Sequence, residues 1–248
     1  MRQFVFVLLL VAAPVSAAEQ ARIAVASNFL ETATALAEKF AATSTHDIEF
    51  SSGSSGALYG QVINGAPFDA FLSADVERPR KLEAGGFSVA ASRFTYANGR
   101  LVLLAAPQTA LSADVESTLA DTELRHFAIA NPRLAPYGVA ARQALETLGY
   151  WQSLEQQIVL GETIGKTFGL VITGNADLGM VASSQAVAGN DYRYIEIPAT
   201  LHDEIQQQAV LLNRGADNTA AIEFLAFIRS DEGRRIIAAH GYGLPDSD

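Results

Sequence analysis

The sequence predicts an α/β protein of two small lobes, each a mainly parallel sheet flanked by helices. Two short extended crossings join them. Three observations lead there. Short apolar, strand-like runs alternate with stretches of helical periodicity, the pattern of parallel sheets covered by helices. The length, 248 residues, fits two such lobes better than one sheet. No repeat of 20–50 residues and no low-complexity linker interrupts the alternation.

The elements follow in order. Residues 22–27 (RIAVAS) read as a buried strand, and 32–43 place Ala33, Leu36, Ala37 and Phe40 on one helical face. Residues 47–51 form a second strand, and 57–64 a helix stopped by Gly65 and Pro67. Residues 68–74 are a third strand, followed by a helix at 76–84 ending at Gly85-Gly86. Strands are expected at 100–106 and 126–130, then a helix at 139–148 closed by Gly149. A short strand at 158–160 precedes a helix at 166–173 ended by Gly174. Residues 176–182, 192–197 and 207–212 read as strands, and 218–240 hold one or two helices. The crossings fall near 96–100 and 206–209, dividing the chain into lobe I (19–98 with 209–248) and lobe II (99–208).

Residues 1–18 are set apart. Arg2 precedes a ten-residue apolar run (4–13), Pro14 breaks it, and small residues follow at 15–18. This is the order of a secretory signal peptide, with cleavage expected after Ala17 or Ala18. The run is too short to span a bilayer, which needs roughly 20 residues. Without cysteine, disulfides, zinc-thiolate sites and thiol catalysis are excluded, and packing alone must hold an exported chain together. The net charge of −10 argues against nucleic-acid binding. It also argues, at first, against an anionic ligand.

In sheets of this kind ligands bind beyond the carboxyl ends of strands, where helices begin. Four such junctions stand out: Ser27-Asn28; the run 51–56 (SSGSSG); 135–138 (APYG); and 161–165 (GETIG). A helix N-terminus offers free N–H groups and about half a positive charge. Several converging with Ser and Tyr hydroxyls would hold a small oxyanion without Arg or Lys. Competing motifs are weaker. Residues 161–167 (GETIGKT) are one residue short of the spacing of a phosphate-binding loop. No G-x-S-x-G surrounds Ser54 or Ser55. The histidines His46, His126, His202 and His240 are dispersed, and 202–204 (HDE) reads as a solvated loop.

The residues that carry a resemblance are 24–40 (AVASNFLETATALAEKF), 51–75 (SSGSSGALYGQVINGAPFDAFLSAD), 131–149 (NPRLAPYGVAARQALETLG) and 175–182 (NADLGMVA). In this order and spacing the chain resembles periplasmic molybdate-binding proteins, the solute receptors of molybdate ABC importers. The resemblance implies a type II-like periplasmic binding protein fold closing on one tetrahedral oxyanion. It places oxyanion-binding positions on Ser27 and Asn28, on Ser55, on the Tyr137 N–H with its hydroxyl as a second donor, and on the Ile164 N–H. Some members supply a Tyr hydroxyl where this chain has Ala182. The expected ligand is molybdate or tungstate, with molybdenum present only as the bound oxyanion and no cofactor or catalysis. The expected partner is a membrane permease, for a monomeric periplasmic protein that binds no nucleic acid. The alternatives are a receptor for sulfate, thiosulfate or another oxyanion, or a serine hydrolase using the Ser/Gly turn.

Overall fold

The computed structural model describes residues 18–189 and 191–245, so the signal peptide expected at 1–18 lies, up to residue 17, outside the described residues. In chain order the elements are β1 (Gln20–Ala26), α1 (Leu30–Ala41), β2 (Asp47–Gly53), α2 (Ser55–Ile63), β3 (Ala70–Ser73), α3 (Glu77–Ala84) and β4 (Phe94–Gly99). Then come β5 (Leu101–Ala105), α4 (Val115–Asp121), β6 (Phe127–Ala130), α5 (Pro136–Thr147), α6 (Trp151–Leu154), β7 (Ile158–Gly161) and α7 (Ile164–Ile172). The chain closes with β8 (Leu178–Ala182), α8 (Ser183–Val187), β9 (Tyr194–Glu196), β10 (Ile205–Leu211), α9 (Thr219–Arg229) and α10 (Asp231–Ala239).

Two five-stranded sheets result, ordered β2-β1-β3-β10-β4 and β7-β6-β8-β5-β9. β1 pairs in parallel with β2 and β3, and β6 with β7 and β8. β10 is antiparallel to β3 and β4, and β5 to β8 and β9. The reversed strand of each sheet is therefore the one that has just arrived from the other lobe. Only Arg100 separates β4 from β5, so the outward crossing is one extended segment. An antiparallel neighbour needs no crossover helix, which permits so direct a passage.

Helices cover both faces of the first sheet because its strands alternate. Ile23 and Val25 of β1 pack with Leu36, Phe40, Phe224 and Ile237 on one face. Ala24, with Phe71 of β3, packs against Leu58, Val62 and Leu82 on the other. Burying each such large side chain contributes roughly 1.5–3 kcal/mol. The second lobe has its own core, built from Leu101–Ala106, Phe127–Ala130, Leu145, Val171 and Met180. No helix among the described residues is long and apolar enough to cross a membrane.

The expected helices at 57–64, 139–148 and 166–173 begin earlier in the structure, at Ser55, Pro136 and Ile164. Ser54 caps the first, its hydroxyl accepting from the Ala57 N–H; Thr163 caps the third, accepting from Lys166 N–H. Pro136 opens α5 at a position where its missing N–H is no loss. Cap and first-turn residues thus resemble loop in the sequence but carry the free donors of the helix. The crossing at 96–100 forms part of a full strand, β4, because β10 pairs along it.

The same carboxylate device ties the start of β3 to β1 in one lobe and the start of β8 to the start of β6 in the other. Asp69 Oδ2 accepts from the Arg22 N–H at 2.8 Å, and Asp177 Oδ2 from the Arg125 N–H at 2.8 Å. Asp177 also accepts from the His126 N–H at 3.0 Å and the Arg125 guanidinium at 2.8 Å. Burial works to raise its pKa, but these donors outweigh it and hold the carboxyl below its ordinary range. A lowered native pKa contributes stability above the unfolded value, about 3.9, that is lost as pH falls through the native value. Asp177→Asn should therefore lower stability at pH 7 by about 1–3 kcal/mol. In urea denaturation it should lose less than wild type between about pH 5 and pH 3. Equal acid slopes for the two proteins would show that the carboxylate is not held in this way.

Candidate functional site

The four junctions singled out in the sequence meet at one small cavity between the lobes. It is lined by Ala26, Ser27 and Asn28 after β1; Gly53, Ser54 and Ser55 at the start of α2; Ala74 after β3; Ala135, Pro136 and Tyr137 at the start of α5; and Ile164 at the start of α7. It is tight, with a cavity volume of about 10 Å³ against about 460 and 400 Å³ for the two clefts that flank it. No lining side chain is charged.

What the lining presents is donors. Among the described residues, the N–H groups of Asn28, Ser55, Tyr137 and Ile164 meet no protein acceptor. Those of Ser55, Tyr137 and Ile164 belong to the first turn of a helix, where N–H groups have no intrahelical partner and lie at the positive end of the helix dipole. The Ser27, Ser55 and Tyr137 hydroxyls each already accept a hydrogen bond. Ser27 Oγ accepts from the Gly165 N–H at 3.3 Å, Ser55 Oγ from the Ala74 N–H at 2.9 Å, and Tyr137 Oη from Gln207 Nε2 at 3.2 Å. A hydroxyl whose oxygen is taken this way is left to donate its proton. Burial, aided by neighbouring Tyr242 and opposed by the Gln207 hydrogen bond, pushes the Tyr137 pKa well above its ordinary value. Tyr137 therefore remains an O–H donor at neutral pH.

Asn28 enters the lining differently from its neighbours. It is 3% exposed. Its Nδ2 donates to Gln207 Oε1 at 2.9 Å and to the Tyr242 hydroxyl at 3.0 Å. Its carbonyl accepts from the Tyr242 hydroxyl at 2.7 Å and from Ser184 Oγ at 3.2 Å. Both side-chain protons are thus engaged away from the cavity, and the donor Asn28 leaves open is its main-chain N–H. Ala182, where a Tyr hydroxyl stands in some similar proteins, is fully buried at the end of β8 and offers no donor.

Several contacts around the cavity cross between the lobes. The Gly56 N–H donates to the Leu134 carbonyl at 2.8 Å, beside the Gly165–Ser27 and Ser184–Asn28 bonds. A Cβ on Gly56 would lie 2.9 Å from the Leu134 carbonyl oxygen, so only glycine fits this approach. Sequence reasoning missed Gln207, Tyr96, Tyr242 and Ser184. Gln207 is the middle of three consecutive glutamines at the start of β10, so nothing local singled it out. The competing motifs resolve as local structure. Lys166 pairs with Glu162 on the surface, and among the described residues no three metal-ligating side chains cluster.

The chain is similar to proteins of known function along nearly its whole length. Residues 21–243 match the family model described as bacterial extracellular solute-binding protein. The molybdate-binding protein ModA of Rhodobacter capsulatus is 39% identical over 92% of this chain and 89% of its own. That of Azotobacter vinelandii is 39% identical over 92% and 91% respectively. The solved structure of the Azotobacter vinelandii periplasmic molybdate-binding protein superposes with a TM-score of 0.86, covering 91% of this chain and all of that one. Two mixed sheets, two crossings, and a small cavity between lobes are thus the architecture of a known family: this chain belongs to the bacterial extracellular solute-binding proteins.

Proposed function

We propose that this protein binds molybdate, and tungstate in the same way, in the periplasm and delivers it to the membrane permease of an ABC importer. The observation that carries the reading is the convergence on one uncharged cavity of four unpaired N–H groups and three hydroxyls whose oxygens are already engaged. The names of its relatives support it. In this reading Ser27, Ser55 and Tyr137 bind the oxyanion through hydroxyls, and Asn28, Ser55, Tyr137 and Ile164 through main-chain N–H.

Such a lining suits a fully deprotonated tetrahedral dianion. α2, α5 and α7 begin at the cavity, and α1 begins two residues beyond Asn28. At about half a positive charge each, four helix N-termini match a charge of about two. Phosphate carries a proton at neutral pH. Its O–H would meet only donors, leaving groups unpaired at roughly 1–3 kcal/mol each. Sulfate has no such proton and is discriminated by its smaller size.

Binding closes the lobes around the anion. The moving bodies in this reading are lobe I (19–98 with 209–248) and lobe II (99–208). The mature chain starts after Ala17 or Ala18 and acts as a monomer.

Thermal melting against molybdate, tungstate, sulfate, phosphate and vanadate tests the ligand. At a hundredfold excess over Kd a ligand stabilises by about 2.7 kcal/mol, a rise of roughly 5–10 °C. Molybdate and tungstate should give it and phosphate should not; a larger rise with sulfate would overturn the assignment. Ser55→Ala should weaken molybdate binding by about 1.5–3 kcal/mol, tenfold or more, in calorimetry. An unchanged Kd would remove Ser55 from the site. Gly56→Ala should leave the ligand-free melting temperature nearly unchanged and weaken binding, because a methyl there holds the lobes apart. Small-angle scattering should then show less contraction on adding molybdate than in wild type, and equal contraction would sink the closure argument.

A further inference from the structure

Gln207 lies on β10, the strand that returns from the second lobe to the first, and its side chain is wholly buried. A buried carboxamide must have its hydrogen bonds met, and the partners here are unusual. Its Oε1 accepts from Asn28 Nδ2 at 2.9 Å and lies 3.1 Å from the Tyr96 hydroxyl. Its Nε2 donates to Tyr137 Oη at 3.2 Å. Two of these three partners line the cavity, one from each lobe.

The local backbone is shaped for this contact. Gln207 pairs with Ala97 and Gln208 with Thr95, so Tyr96 is an extra residue in β4. A bulge of this kind re-aims side chains, and the Tyr96 hydroxyl sits 3.1 Å from both Gln207 Oε1 and the Ser73 carbonyl. At the end of β4, a Cβ on Gly99 would fall 2.3 Å from Tyr137 Oη and 2.8 Å from Gln207 Nε2. The crossing segment is thus bare of side chain where the Gln207–Tyr137 pair passes it.

We infer that Gln207 is the positioning residue of the anion cavity: its one carboxamide turns the Tyr137 proton toward the ligand and holds the Asn28 side chain away from it. The orientation is not interchangeable. Reversing the amide would set Nε2 against Asn28 Nδ2, donor against donor, and would leave Tyr137 Oη facing an acceptor that draws its proton from the cavity. Gln207 touches no ligand itself. It acts through Tyr137 and Asn28, and because these belong to different lobes the full set of bonds forms only with the lobes together. The inference rests on the oxyanion reading above.

The test is a double-mutant cycle read by molybdate calorimetry on wild type, Gln207→Leu, Tyr137→Phe and the double variant, each melted without ligand to establish folding. Each single variant should bind about tenfold or more weakly. Adding Gln207→Leu to Tyr137→Phe should weaken binding by no more than about threefold further, because one hydrogen-bonded unit is lost once. If Gln207→Leu does not fold, Gln207→Met, closer in shape, takes its place in the cycle. Losses that multiply, or a Gln207 variant that binds like wild type, overturn the inference and leave the oxyanion reading standing. A folded wild type that does not bind molybdate overturns both.

Discussion

A hydroxyl free to rotate presents a lone pair as readily as a proton, and at this cavity that freedom is restricted. Ser27, Ser55 and Tyr137 each have their oxygen taken by an N–H: from the second lobe, from the end of β3 and from the returning strand respectively. What remains is a surface of donors. Much of the fold answers to this constraint, since the sheet ends and helix starts that supply the pinning groups must arrive at one place. The fold does this with two mixed sheets whose reversed strands carry the chain between lobes.

The charge of the protein looks unsuited to an anion but acts at a different range. The net charge of −10 acts at long range, where salt screens exposed charges beyond about 10 Å. The cavity is lined by aligned amides at helix N-termini within hydrogen-bonding reach, in a space without charged side chains. In the proposed reading these short-range dipoles, rather than the net charge, meet the ligand.

Rigidity is supplied without cysteine. A buried carboxylate ties β3 to β1 in one lobe (Asp69) and the start of β8 to the start of β6 in the other (Asp177). These aspartates lie within the stretches 51–75 and 175–182, which the sequence marks as distinctive. Their role there is structural. The chain passes between the lobes at Arg100 and in the segment before β10. Membership of a solute-binding family, rather than any missing residue, sets the hydrolase alternative aside.

The alternation of strands and helices and the four junctions are legible in the sequence, whereas the return crossing expected at 206–209 lies inside β10, which pairs with β4 from Ile205 on. The legible features are written in local signals: apolar periodicity, helix caps, Ser/Gly and Pro/Gly turns. The helix starts at Ser55, Pro136 and Ile164 read two or three residues late in the sequence, because first-turn Ser, Gly and Pro have loop-like propensities. The short helices α4, α6 and α8 went unread, being too short to show a period. The fold alone brings the Asn28 carboxamide onto Gln207 and Tyr242, and Gln207 onto the Tyr137 hydroxyl. Gln207 stands 179 residues from Asn28 and 70 from Tyr137. Hydrogen bonds between side chains so far apart depend on how two sheets come together, and no local pattern in the chain encodes that.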